Sequence, residues 1–284
     1  MTVELTHQYI ETNGIKLHVV TAGNPSDEPV MLLHGFPEFW YCWHHQIDYL
    51  AQNGYYVIAP DQRGFNRSDK PIGVDNYHID LVAQDITGLM EAMGYQQMYL
   101  AGHDWGGAVA WWIATHYPQY LKKLAILNAP HVNNLTDLRE FHLSQIIKSL
   151  YIFFFQFPDI PEWVLTNTDS LRESLVGNRD DTFTEEDYAM YQQAWSQPNA
   201  ITSTLNWYRA AFRLFGQSLP EDGSINVPIR IVWGEDDNYL GKPIAERGKR
   251  LGSNVELYYI PGATHWITHD EPEMVNHHLS GFFQ

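Results

Sequence analysis

MYLAGHDWGGAVAWWIA, residues 98–114, is the stretch that decides the fold. Met98 to Ala101 is a short apolar run of strand type, and beyond Gly102-His103-Asp104-Trp105-Gly106-Gly107 comes a helical segment rich in small residues. A strand entering a helix through this pattern fits a nucleophile elbow, G-x-Nu-x-G. The turn is strained and its backbones approach closely, so small residues flank the central one, whose side chain projects from the strand end. Here the central residue is Asp104. A helix-capping aspartate, a chance glycine pattern or an inactive elbow would account for the glycines and the aspartate, but the strand-to-helix setting favours the elbow.

Working outward, Val30 to Leu33, Tyr55 to Ala59 and Leu124 to Leu127 are further short apolar runs, each followed by a segment of helical character. That alternation predicts a parallel sheet with crossover helices, an α/β fold. Upstream, Tyr9 to Thr12 and Ile15 to Val20 flank Asn13-Gly14, the dipeptide of a tight hairpin turn. From about His131 to Asn226 strand signals stop, and helical pieces are expected to break at Pro158, Pro161, Gly177, Pro198 and Gly216. Alternation resumes with Ile229 to Trp233, a helix after Gly241, the strand Val255 to Ile260 and a last helix from Glu271 to Phe283. The expected organisation is a core of residues 1–130 and 227–284 carrying a helical lid, residues 131–226, over one end of the sheet.

Composition narrows the function. With 284 residues, 44% hydrophobic and 18% charged, the chain can build a sizeable core and does not read as disordered. A net charge of -17 repels phosphate backbones and anionic lipid, so nucleic acid and membrane surfaces are poor partners. The lone cysteine, Cys42, cannot pair within the chain, the first residues carry no signal-peptide pattern, and no apolar run is long enough to span a bilayer. A cytoplasmic protein, monomer or homodimer, is expected.

His34-Gly35-Phe36-Pro37 follows the strand Val30 to Leu33. At that place the backbone N–H after the glycine points at the nucleophile, making Phe36 and Trp105 the expected oxyanion donors. An acid and a histidine should follow at later strand ends. Asp237, three residues past Gly234, is the first choice of acid with Asp236 as competitor, and His265 after Gly262 is preferred among the 14 histidines. Zinc binding by His265 and His269 is disfavoured, since HWITH lacks the glutamate of a zinc protease helix. Neither a metal nor a cofactor is expected.

These segments, together with HGFPEFWYCW (residues 34–43) and DQRGFNRSDKP (residues 61–71), resemble the epoxide hydrolases of the α/β-hydrolase fold over nearly the whole chain. The resemblance extends to YIFFFQFP (residues 151–158) and LNWYR (residues 205–209), and implies that Tyr151 and Tyr208 donate hydrogen bonds to the epoxide oxygen. It also implies a cis peptide before Pro37 and a part for Glu38 and His103 in placing the hydrolytic water. Asn66 stands where many relatives carry glycine, a place for a left-handed residue that asparagine tolerates. FQFPD replaces the FQEPG of some relatives and leaves substrate preference open.

An aspartate nucleophile decides the reaction class. Attack on an acyl carbon would give an anhydride, whereas attack on saturated carbon opens an epoxide or expels a halide and leaves an alkyl ester on the enzyme. His265, oriented by Asp237, would then activate water to hydrolyse that ester. Two tyrosines suit the alkoxide of an opening epoxide better than a halide, so the expected reaction is epoxide to vicinal diol. A haloalkane or haloacid dehalogenase and a non-catalytic small-molecule receptor are the alternatives. The aromatic content of 14% suggests an apolar or aryl substrate, although core packing explains most of those rings equally well.

Overall fold

Successive buried side chains of the central strands lie on opposite faces of the sheet and divide the core in two. In the computed structural model, which describes residues 3–131, 143–176, 179, 182–213 and 223–284, the chain opens with β1 (Thr6–Thr12) and β2 (Ile15–Ala22). These pair antiparallel across Asn13 (φ 46°) and Gly14 (φ 75°), two left-handed residues that match the twist of a two-residue hairpin. Then follow β3 (Glu28–Leu33), α1 (His44–Gln52), β4 (Tyr55–Pro60), α2 (Ile79–Ala92), β5 (Met98–His103), α3 (Asp104–His116) and β6 (Leu121–Leu127). Six helices come next: α4 (Leu143–Lys148), α5 (Leu150–Phe154), α6 (Ile160–Asn167), α7 (Ser170–Val176), α8 (Glu185–Trp195) and α9 (Ala200–Phe212). The chain ends with β7 (Ile229–Gly234), α10 (Lys242–Lys249), β8 (Val255–Ile260), α11 (Ile267–Asp270) and α12 (Pro272–Phe283).

The strands form one sheet of order β1-β2-β4-β3-β5-β6-β7-β8, antiparallel at β1/β2 and β2/β4 and parallel throughout the rest. Val30 and Leu32 pack on one face with Ile47 and Leu50 of α1 and Val275 and Leu279 of α12. Met31 and Leu33 pack on the other with Val82 and Ile86 of α2, Val109 of α3 and Ile244 of α10. Each such fully buried side chain contributes on the order of 2 kcal/mol of transfer free energy. Strands covered on both faces read as unbroken apolar runs, which is why β3 and β4 stand out in the sequence.

The six inserted helices of the described residues lie between β6 and β7, and α7, α8 and α9 reach the sheet body, α7 through the buried Leu175. Trp207 of α9 is buried in the core of the Met31/Leu33 face and donates from Nε1 to the Arg63 carbonyl at 2.9 Å. Tyr191 of α8 is buried in the other. Pro161, expected to break a helix, instead sits in the first turn of α6, where its missing N–H is not needed. The breaks expected at Gly177 and Gly216 lie outside the described residues. Among the described residues no helix is long and apolar enough to cross a membrane.

Candidate active site

Asp104 is the first residue of α3 and has φ 50°, a left-handed conformation unusual for a residue with a side chain. Two close approaches explain the surrounding glycines. A Cβ on Gly106 would strike the carbonyls of Leu33 and His34, and one on Gly35 would strike the Asp104 side chain. The loop after β3 can therefore pass against the elbow, and the Phe36 N–H donates to Asp104 Oδ1 at 2.8 Å. His34 fastens that loop: its Nε2 accepts from the Gln62 N–H at 3.0 Å and its Nδ1–H donates to the Gly35 carbonyl at 3.0 Å. The Phe36-Pro37 peptide is cis. Trp105 lies in the first turn of α3, where backbone N–H groups have no partner within the helix.

His265, on the loop after β8, stands between two carboxylates. Its Nδ1 is 2.8 Å from Asp237 Oδ2 and its Nε2 is 3.4 Å from Asp104 Oδ2. Burial opposes its charge, but the Asp237 charge and hydrogen bonding to both aspartates prevail and push its pKa up to about 10. Asp237 is also buried, yet the His265 charge and the hydrogen bonds it accepts hold it below the usual carboxylate range. Its Oδ1 takes the N–H groups of Tyr239 at 2.7 Å and Leu240 at 2.8 Å. Asp236, the competitor, is exposed.

The two tyrosines come from α5 and α9 and meet over the elbow, with Tyr151 and Tyr208 ring centroids 5.9 Å apart. Burial pushes both hydroxyls up; the Asp104 charge adds to Tyr151, and Tyr151 then Asp104 add to Tyr208. Together with Phe36, Asp104, His265 and apolar side chains such as Leu165 and Leu171, they line a cavity of about 250 Å³.

Glu38 and His103 are fully buried and do not line that cavity. They form a chain behind His265: His103 Nε2–H donates to the His265 carbonyl at 2.8 Å, and His103 Nδ1 pairs with Glu38 Oε2 at 2.9 Å. Glu38 Oε1 in turn accepts from the Tyr191 hydroxyl at 2.9 Å. Burial works against ionising Glu38, but its hydrogen bonds to His103 and His269 hold its carboxyl well below the usual range. His265 and His269 take different partners, the latter Tyr191, so the structure does not join them as a pair.

Three further site residues were assigned no role by the sequence, although Arg209 falls within LNWYR. Asn128 (φ 41°), one residue past β6, donates to Asp237 Oδ2 at 2.6 Å and accepts from the Gly234 N–H at 2.9 Å. Its place at a parallel strand end was the available signal. Tyr239 faces His265 and Tyr151, with ring centroids 5.1 and 5.8 Å away. Arg209, beside Tyr208, grips the Glu162 carboxylate with two nitrogens at 2.6 and 3.0 Å and donates to the carbonyls of Phe155 and Phe157.

Residues 28–272 match the family model of the alpha/beta hydrolase fold. The chain is 45% identical to the AB hydrolase superfamily protein YfhM of Bacillus subtilis, over 95% of this chain and 94% of that one. It is 36% identical to human epoxide hydrolase 4, over 95% of this chain and 77% of that one. The crystal structure of Bacillus megaterium epoxide hydrolase in complex with an inhibitor superimposes with a TM-score of 0.88 at 31% identity, covering 97% of this chain and 99% of that one.

Proposed function

The chain belongs to the epoxide hydrolases of the α/β-hydrolase fold, and from that premise we propose that it hydrolyses a small apolar or aryl epoxide to a vicinal diol through a covalent ester on Asp104. The observation that carries the mechanism is one carboxylate with a backbone donor on one oxygen, an imidazole beside the other and two tyrosines across an apolar cavity. Oδ1 stays with the Phe36 N–H, and Oδ2 attacks the epoxide carbon. As the ring C–O bond breaks, its electron pair goes to the epoxide oxygen, which takes a proton from the Tyr151/Tyr208 pair. A halide would need no proton, so the tyrosines favour the epoxide reading.

Forming the ester removes the Asp104 charge and its hydrogen bond, two of the influences that hold the proton on His265. The imidazolium gives that proton to the tyrosinate left by ring opening, which restores the hydroxyl, and the neutral imidazole then acts as base. Oriented by Asp237, itself fixed by Asn128, it takes a proton from water, and hydroxide adds to the ester carbonyl while the Phe36 and Trp105 N–H groups hold the oxyanion. Collapse breaks the bond to the alkyl oxygen, which takes the proton back from His265 and leaves as the diol, and the new Asp104 carboxyl returns its proton to His265. Glu38 and His103 act on that water through the His265 segment they hold. In this reading the helices of residues 131–226 are the lid, the sheet and its flanking helices are the core, and no cofactor takes part.

Intact-mass analysis of His265→Gln, mixed with an aryl epoxide or a haloalkane, tests the scheme. The expected product is an adduct of the full epoxide mass, mapping to Asp104. No adduct from the folded variant, or an adduct on another residue, would overturn the covalent mechanism.

A further inference from the structure

Outside the cavity, His44 and His45 at the start of α1 and His269 of α11 converge. One ring nitrogen from each lies within 4.8 Å of the other two. The ring centroids of His44 and His45 are 3.8 Å apart, and those of His44 and His269 are 5.4 Å apart. We infer that these three histidines form a binding site for a divalent transition-metal ion of the zinc type, with solvent completing the coordination at the exposed His45 edge.

The half-buried His44 ring and the buried His269 ring are each already oriented through the second nitrogen, as metal-bound imidazoles are. His44 Nδ1–H donates to the Tyr41 carbonyl at 2.9 Å, which leaves Nε2 for an ion. His269 Nε2 meets the Tyr191 hydroxyl at 2.9 Å, which leaves Nδ1. Imidazole nitrogens bound to zinc at about 2.0–2.1 Å lie roughly 3.3 Å from one another in a tetrahedron. The exposed His45 ring can make most of that closure by rotating. Charge also favours a dication: the Asp187 charge acts on all three rings and the Asp48 charge on His45. An ion here would brace α1 against α11, beneath the α8 residues Asp187 and Tyr191.

The test is titration of the full chain with zinc against a chromophoric chelator, with cobalt as a spectroscopic stand-in. One equivalent should bind, cobalt should give the visible bands of a low-symmetry, nitrogen-rich site, and zinc should raise Tm. His45→Ala should weaken binding by at least about 10-fold, and the double change His44→Asn/His45→Ala should remove both the bands and the Tm rise. His277→Ala/His278→Ala, on α12, should bind as the parent does. No zinc uptake by the parent chain, equal uptake by the folded double variant, or loss of uptake in the α12 variant would each overturn the site.

Discussion

In the resting protein one imidazole, His265, lies between the carboxylates of Asp104 and Asp237, and this arrangement has a measurable pH signature. The His265 pKa is raised from 6.5 to about 10 in the folded chain. A raised histidine pKa adds stability that is fully present below about 6.5 and is lost as pH climbs to about 10. Thermal unfolding should therefore show Tm falling across that window, and His265→Gln should flatten the fall; an unchanged alkaline slope would mean the folded ring is not protonated. Esterification of Asp104 removes one of the two flanking charges, so single-turnover ester hydrolysis should titrate well below 10. Between the adjacent acids, Asp237→Asn should slow ester hydrolysis strongly, because Asp237 alone contacts Nδ1, whereas the exposed Asp236→Asn should change little. Rapid-quench rates for the two variants decide the assignment, and the reverse ranking would move the role to Asp236.

At the scale of elements, the tyrosines owe their positions to helix ends. Arg209 ties α9 to the end of α5, through the Phe155 carbonyl, and to α6, through Glu162. Its charge is largely covered, with the Arg209 side chain 13% and the Glu162 side chain 19% exposed. Lysine cannot reproduce a grip by several planar nitrogens. Arg209→Lys should thus lower the alkylation rate roughly as much as a single Tyr→Phe change, about 10-fold to 100-fold, with ester hydrolysis spared. Stopped-flow fluorescence checks this, and parent-like alkylation in the variant would show the clamp to be dispensable. The elbow, the hairpin and the parallel strands were legible in the sequence because their signals are local: Gly102 and Gly106 around Asp104, Asn13-Gly14, and doubly buried runs such as Val30 to Leu33. Asn128 and Arg209 were not, because their value lies in partners brought by folding. Asn128 is 109 residues from Asp237, and no local pattern encodes that meeting. Pro161 misled for a related reason: a proline that stops one helix and a proline that starts another look alike until the chain's path between α5 and α6 is known.

For the whole molecule, the two half-reactions of the proposed mechanism would divide between two parts of the chain. Phe36, Asp104, Asp237 and His265 all sit just past the ends of parallel strands β3, β5, β7 and β8, and so share one edge of a rigid sheet. Tyr151 and Tyr208 arrive from helices inserted between β6 and β7. Bond making to the epoxide needs both sets, since the alkoxide must be protonated as it forms. Ester cleavage needs only the sheet-edge set. Damage to the helices should therefore starve the intermediate, and damage to the acid or base should trap it. The double change Tyr151→Phe/Tyr208→Phe keeps both rings and should fold normally, yet show almost no ester by mass spectrometry during incubation with epoxide. Asp237→Asn should hold most of its chain as ester under the same conditions. Combining all three changes should reproduce the tyrosine variant, with no ester, because a step that is never reached cannot accumulate its product. If the triple variant instead fills with ester, the tyrosines do not serve the ring-opening step. The proton for the epoxide oxygen must then come from the sheet edge, where the His265 imidazolium is the nearest charged donor to Asp104.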